Sequence, residues 1–81
     1  SGEDIENDPN AKPLALAGLV PVKVTNENGV IMPGDLLVSS STPGHAMRCD
    51  DRKKCYGAVV GKALEPFSGK KGTINMLVML G

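Results

Sequence analysis

At 81 residues, with no Trp, one Tyr and one Phe, the chain has room for one domain with a small core of Val, Leu, Ile, Met and Ala, burying roughly 60% of the surface its unfolded form would expose. Nine basic and nine acidic side chains cancel, which argues against a surface made mainly to bind nucleic acid or anionic lipid. No apolar run approaches the ~18 residues of a membrane span, and no charged-then-apolar leader precedes the domain, so a soluble piece is expected.

The first ten residues hold Glu3, Asp4, Glu6 and Asp8 and no Lys or Arg, leaving nine basic against five acidic side chains in the remainder. Residues 1–13, SGEDIENDPNAKP, contain one aliphatic side chain beyond alanine, Ile5. They cannot bury enough to offset their ordering entropy, so a flexible arm or linker is expected there and a single β-domain over 14–81. The opening Ser1-Gly2, without an initiator Met, is read as the start of a processed product or of a segment of something longer.

From Leu14 onward, Gly, Pro or Asn-Gly punctuates the chain every few residues, and no window holds helical periodicity long enough for a good helix. The first strand is expected over Leu14 to Thr25, where Val20, Val22 and Val24 alternate with Leu19, Pro21 and Lys23. Pro21 donates no hydrogen bond and marks an edge or a bulge. Asn28-Gly29 suits a tight hairpin turn, returning Val30-Ile31-Met32 along the first strand. Pro33-Gly34-Asp35 turns the chain into Leu36-Leu37-Val38 and a run of serines, Ser39 to Ser41. Thr42-Pro43-Gly44 turns it again, into a short strand from His45 to Arg48.

The stretch from Cys49 to Cys55, with Asp50-Asp51 followed by Arg52-Lys53-Lys54, reads as a solvated charged loop. A strand is expected over Tyr56 to Leu64, with Gly57 and Gly61 marking bulges or close backbone approach. Glu65 to Gly72 forms a hairpin loop. Thr73 to Leu80 is nearly all apolar, the pattern of a strand buried on both faces. Five or six short strands in this length predict an all-β fold, either a small barrel or a two-layer sandwich, with a β-clip-like arrangement of bent hairpins as the alternative.

Groups able to do chemistry are few. His45 is the only histidine, and near it in sequence lie the hydroxyls of Ser39 to Thr42 but no carboxylate other than Asp35. No nucleophile elbow, phosphate cradle or dinucleotide spacing occurs. A structural turn residue therefore accounts for His45 better than a general base. Cys49 and Cys55 lack CxxC spacing and a second pair, which disfavours zinc. Sitting at both ends of one polar loop, they are expected to form a disulfide across its neck; two reduced thiols are the alternative. No metal or cofactor is expected.

The phrases ALAGLVPVKV, GVIMPGDLLVSSSTPGHAM, GAVVGKALEP and GTINMLVML, which together span Leu16 to Leu80, resemble a C-terminal β-module of bacterial cell-surface and phage tail-fibre-like proteins. That resemblance implies a non-catalytic part of a longer architecture, placed after fibrous or repetitive regions. The Cys49 and Cys55 pair departs from the pattern of those modules and supports a local cross-link. Thr42-Pro43-Gly44-His45 also resembles the T-x-x-H signature of intein and hedgehog-type autoprocessing domains. That likeness would give His45 and Thr42 a role in cleavage, with Ser1 as the attacking residue. The chain is shorter than those domains, and no His-Asn pair closes its C-terminus.

The expected function is thus structural: an assembly or interaction module of a surface, fibre or appendage protein, and not an enzyme. Its partners would be protein, whether itself, a neighbouring domain or another subunit, as a homo-oligomer or fibre, with no nucleic acid. Its place would be extracellular or at the cell surface, or in a phage virion. A carbohydrate- or surface-binding module and an autoprocessing remnant are the alternatives; only Tyr56 and Phe67 could supply an aromatic sugar platform.

Overall fold

The computed structural model describes residues 17–79. The arm expected over 1–13, and Ser1 with it, lie outside the described residues. Five strands and one helical turn follow in order: β1 (Ala17–Thr25), β2 (Leu36–Ser39), β3 (Ala46–Arg48), α1 (Arg52–Cys55), β4 (Val59–Ala63) and β5 (Lys71–Met79). The strands close a barrel in the order β1-β3-β2-β4-β5. Of the architectures expected from the strand spacing, the small barrel is the one formed.

Alternation along β1 and β5 sets the inside of this barrel. The two strands pair antiparallel over nine positions, with Val22 opposite Ile74, Val20 opposite Met76 and Gly18 opposite Val78. Directly opposed residues share a face, so these apolar pairs form one stripe. Val24, Ile31 and Leu37 are fully buried, and Ala46, Ala63, Ile74 and Met76 complete the core, with Phe67 packed against it. Gly61 is required here: a Cβ on it would collide with the Met76 side chain and stand 2.7 Å from the Leu77 carbonyl oxygen. Beside it the β2–β4 register slips, pairing Leu37 with Gly61 but Val38 with Val59. Val60 is the extra residue of a bulge.

Pro21 occupies an edge, as its missing donor requires. Asn26 donates to the Lys70 carbonyl oxygen, and in an antiparallel ladder hydrogen-bonded pairs recur every second residue. Val24, Val22, Val20 and Gly18 therefore face β5 with their backbone groups, while Lys23, Pro21 and Leu19 turn theirs away. On that side β1 meets β3 only at Val24, paired in parallel with Ala46. Ahead of Val24 no strand among the described residues pairs with this edge.

Four local expectations are corrected. Asn28-Gly29 does not return the chain along β1. Gly29, at φ +94°, closes a turn by donating to the Asn26 carbonyl oxygen at 2.7 Å, and Ile31 then crosses to Phe67, exchanging backbone bonds of 2.9 and 2.8 Å. β5 offers β1 nine partners, whereas the three residues 30–32 would offer few, and Ile31 gains full burial by crossing. Tyr56 is not in a strand: with φ −54° and ψ 128° it precedes Gly57 at φ +84°, and Ala58 donates to the Cys55 carbonyl oxygen. That is a type II turn with glycine where a positive φ is needed.

The loop after Cys49 contains one helical turn, α1. Asp51 caps it, its carboxylate accepting from the Lys53 amide at 3.0 Å, which satisfies a donor that the turn itself cannot. Finally, β5 is not buried on both faces. Ile74 and Met76 are buried, but Thr73 and Asn75 are exposed and Met79 is 72% exposed. One face of β5 meets the core, and nothing among the described residues covers the other at its C-terminal end.

Candidate functional site

The segment from Ser39 to Ala46 is organised by its turn. His45 donates its amide to the Thr42 carbonyl oxygen at 3.1 Å, and Gly44 has φ +73°. Pro at the second position and Gly at the third define a type II turn, for which these residue types are suited. Ser40 fastens the base. Its amide donates to the His45 carbonyl oxygen, its hydroxyl lies 2.8 Å from that same oxygen and 3.0 Å from the Thr42 carbonyl oxygen, and the Thr42 amide donates to it at 3.1 Å.

His45 belongs to the same turn. Its Nδ1 lies 2.9 Å from the Pro43 carbonyl oxygen. A carbonyl can only accept, so Nδ1 carries the proton of that bond and, in the neutral ring, Nε2 is left as the acceptor. Among the described residues the ring bonds neither a hydroxyl nor a carboxylate, and the Ser40 hydroxyl is engaged with backbone. Thr42 and His45 are brought together as turn residues, and Ser1, the third member suggested by the T-x-x-H likeness, lies outside the described residues. Asp35 is engaged elsewhere: it accepts from the Met32 amide at 2.8 Å and pairs with Arg48 at 3.6 Å.

Glu27 is a residue that the sequence did not point to. Its carboxylate accepts from the Ser41 hydroxyl at 2.8 Å and the Ser41 amide at 3.0 Å, and from the Thr25 hydroxyl at 3.3 Å. The Ser41 hydroxyl is the largest influence holding the carboxyl below its ordinary range. Desolvation opposes it, and the Ser41 amide with the Ser40 and Thr25 hydroxyls adds to it. Glu27 thereby ties the end of β1 to the Ser39–Ala46 segment across 14 residues of sequence. Only folding brings them together.

Behind this segment lies a cleft of about 420 Å³. Its floor is apolar, made by Val22 of β1, Ala46 of β3, Val60 of β4 and Met76 of β5, and its rim is the Ser39–His45 segment. The cleft lies between β1, where β3 pairs only at Val24, and the bulge of β4. The apolar stripe continues outward from it through Val20, 37% exposed, and Val78. The opposite face of the same ribbon carries Leu19, 69% exposed, beside Leu77 and Met79.

On the far side of the barrel, Cys49 and Cys55 form a disulfide with their Cα atoms 6.2 Å apart. Cys49 donates its amide to the Leu36 carbonyl oxygen at 2.8 Å, so the bridge closes the α1 turn onto the start of β2. Among the described residues no three His, Cys, Asp or Glu side chains converge as metal ligands would, and no helix is long and apolar enough to cross a membrane. Compared with known protein families, curated proteins and solved structures, the chain finds no match.

Proposed function

We propose that this domain is a non-catalytic assembly module of a larger surface, fibre or appendage protein, working through protein–protein packing. The observation that carries this reading is the β1–β5 ribbon. Its end carries exposed apolar side chains on both faces, Leu19 and Met79 on one and Val20 on the other. Contiguous exposed apolar surface on a small domain marks a contact site. The resemblance to C-terminal modules of bacterial surface and tail-fibre-like proteins supports the same reading. The disulfide fits an oxidising, extracellular setting.

The alternatives draw less support. Of the two aromatic residues, Phe67 is packed against the core and Tyr56 stands alone at a turn corner, 91% exposed. A sugar platform built from both has no basis. For autoprocessing, the Ser40 hydroxyl and the His45 imidazole are held by backbone carbonyls rather than by each other.

Hydrogen exchange on the full-length protein that carries the domain tests the assembly reading. In the assembled state, the amides of Leu19 and Lys23, which no strand covers in the isolated domain, should exchange more slowly than in the isolated domain. Equal exchange in the two states would rule the reading out. Self-cleavage that depends on His45, seen by mass spectrometry of the longer protein, would replace it with autoprocessing.

A further inference from the structure

We infer that Arg52-Lys53-Lys54 is a cleavage site for a protease that cuts after basic residues, and that the Cys49–Cys55 disulfide guards it. The site is closed while the bridge is intact and opens when a dithiol reduces it. The assembly reading makes no use of this segment, and the inference stands apart from it.

Three adjacent basic side chains stand exposed in α1, inside the loop that the bridge closes. Exposed loop tips are where chains are preferentially nicked. The shape of this one, however, is wrong for cutting. A protease takes its substrate as an extended segment, and the six residue steps from Cys49 to Cys55 would then span roughly 20 Å. The bridge holds the two Cα atoms 6.2 Å apart. Between them the chain is coiled into one helical turn, capped by Asp51.

The bridge is the main constraint on that shape. Over residues 50–58 only Cys55 is buried. Among the described residues, the hydrogen bonds of this stretch stay within it: the Lys53 amide donates to the Asp51 carboxylate, the Cys55 amide to the Asp51 carbonyl oxygen and the Ala58 amide to the Cys55 carbonyl oxygen. Its tie to the barrel runs through sulfur to Cys49, whose own amide is fixed on Leu36. A four-residue helix has no stability of its own. Opening the bridge therefore frees the loop, while the strand ladders, which include no residue from 50–58, stay in place. The other described basic residues are held by backbone pairing. Lys23, Lys62 and Lys71 lie in ladders, Arg48 pairs with Leu37, and the Lys70 carbonyl oxygen accepts from Asn26.

Two steps make up the device. A dithiol reductant is oxidised to its own disulfide as Cys49 and Cys55 become thiols, with two electrons and two protons passing to the cysteines. The protease then adds water across the peptide bond after Arg52, Lys53 or Lys54, leaving a carboxylate on the basic residue and an amino group on the next. No bridge remains to join the two pieces.

Limited digestion of the full 81-residue chain with trypsin, followed by mass spectrometry, tests this. Three samples are compared: the oxidised chain, the chain reduced and then desalted before the protease is added, and the Cys49→Ser/Cys55→Ser variant. The reduced chain and the variant should be cut first within residues 52–55, at least about tenfold faster than the oxidised chain at the same bonds, because proteolysis follows the population of the opened segment. Circular dichroism before digestion should show the strands retained in all three. Equal cleavage of the oxidised and reduced chains at residues 52–55 would overturn the inference. So would a first cut among the described residues at Lys23, Lys62 or Lys71, or loss of the strand signal on reduction, since either would mean that the bridge guards the barrel and not the loop.

Discussion

The two halves of β1 follow one rule and meet different fates. From Ala17 to Lys23 and from Val24 to Thr25 the same strand pairs with the same partner in unbroken register, yet only Val24 and Thr25 are buried. The lower half lies in the closed barrel, where β3 covers its second edge and Ile31 and Leu37 fill the space opposite. The upper half has β5 on one side and, among the described residues, no strand on the other. Backbone pairing therefore extends further than packing does. A ladder can be satisfied by two strands, but a core needs atoms on every side.

The sharpest way to break that contrast is to remove a side chain from each half. Leu37→Ala, in the closed barrel, should lower the stability of the isolated chain by about 2–5 kcal/mol, because a fully buried leucine leaves a cavity. Leu19→Ala, 69% exposed on the ribbon, should change it by no more than about 0.5 kcal/mol. Urea denaturation of both variants checks this, and similar losses would mean that the ribbon is as well packed as the barrel.

A second test concerns the cross-link on the closed half. Replacing Cys49 and Cys55 together by Ser should cost about 2 kcal/mol, the chain-entropy effect of opening a seven-residue loop. Hydrogen exchange should speed up around α1 and the start of β2 and remain unchanged at Ala17–Val22. Equal acceleration at both ends would show that the two regions are not independent.

Gly44→Ala probes the rim of the cleft. At φ +73° an alanine is strained even though a Cβ there would meet no atom within 4 Å, so a loss of about 1 kcal/mol is expected. His45→Ala beside it should lie within about 0.5 kcal/mol of wild type, since its ring makes a single exposed bond to Pro43. Thermal melts of both variants distinguish a backbone requirement from a side-chain one.

The smallest expected effect is the pH response of Glu27. Its folded-state pKa is depressed, chiefly by the Ser41 hydroxyl. The stabilisation is therefore present above the ordinary carboxylate range and is lost as pH falls through the depressed value. Glu27→Gln should abolish this contribution to the acid limb of the stability curve and leave the curve near neutrality parallel to wild type. An unchanged acid limb would mean that the Glu27–Ser41 tie does not persist in solution.

Much of the fold was legible because its signals are local. Thr42-Pro43-Gly44 specifies a type II turn from residue types alone, Pro21 announces an edge, and two cysteines flanking one polar loop announce their bridge. The hairpin expected at Asn28-Gly29 failed because a turn specifies a reversal and not the strand that receives it. The nearly continuous apolar run of Thr73 to Leu80 suggested burial on both faces, and the described part of β5 has one. Nothing in sequence marked Glu27 as the tie to Ser41, since the two residues are far apart along the chain.

The amino-acid sequence by itself thus determined an all-β chain of short strands, its glycine and proline turns, its aliphatic core residues and its cysteine pair. These follow from φ preferences and period-two alternation, which act over a few residues. Only the tertiary structure decided that, among the described residues, β1 takes β5 and a single residue of β3 as its neighbours, and that Ile31 crosses to Phe67. Strand partnership is settled by competition among distant segments for the same edge and the same core volume, a comparison that no local stretch of sequence contains.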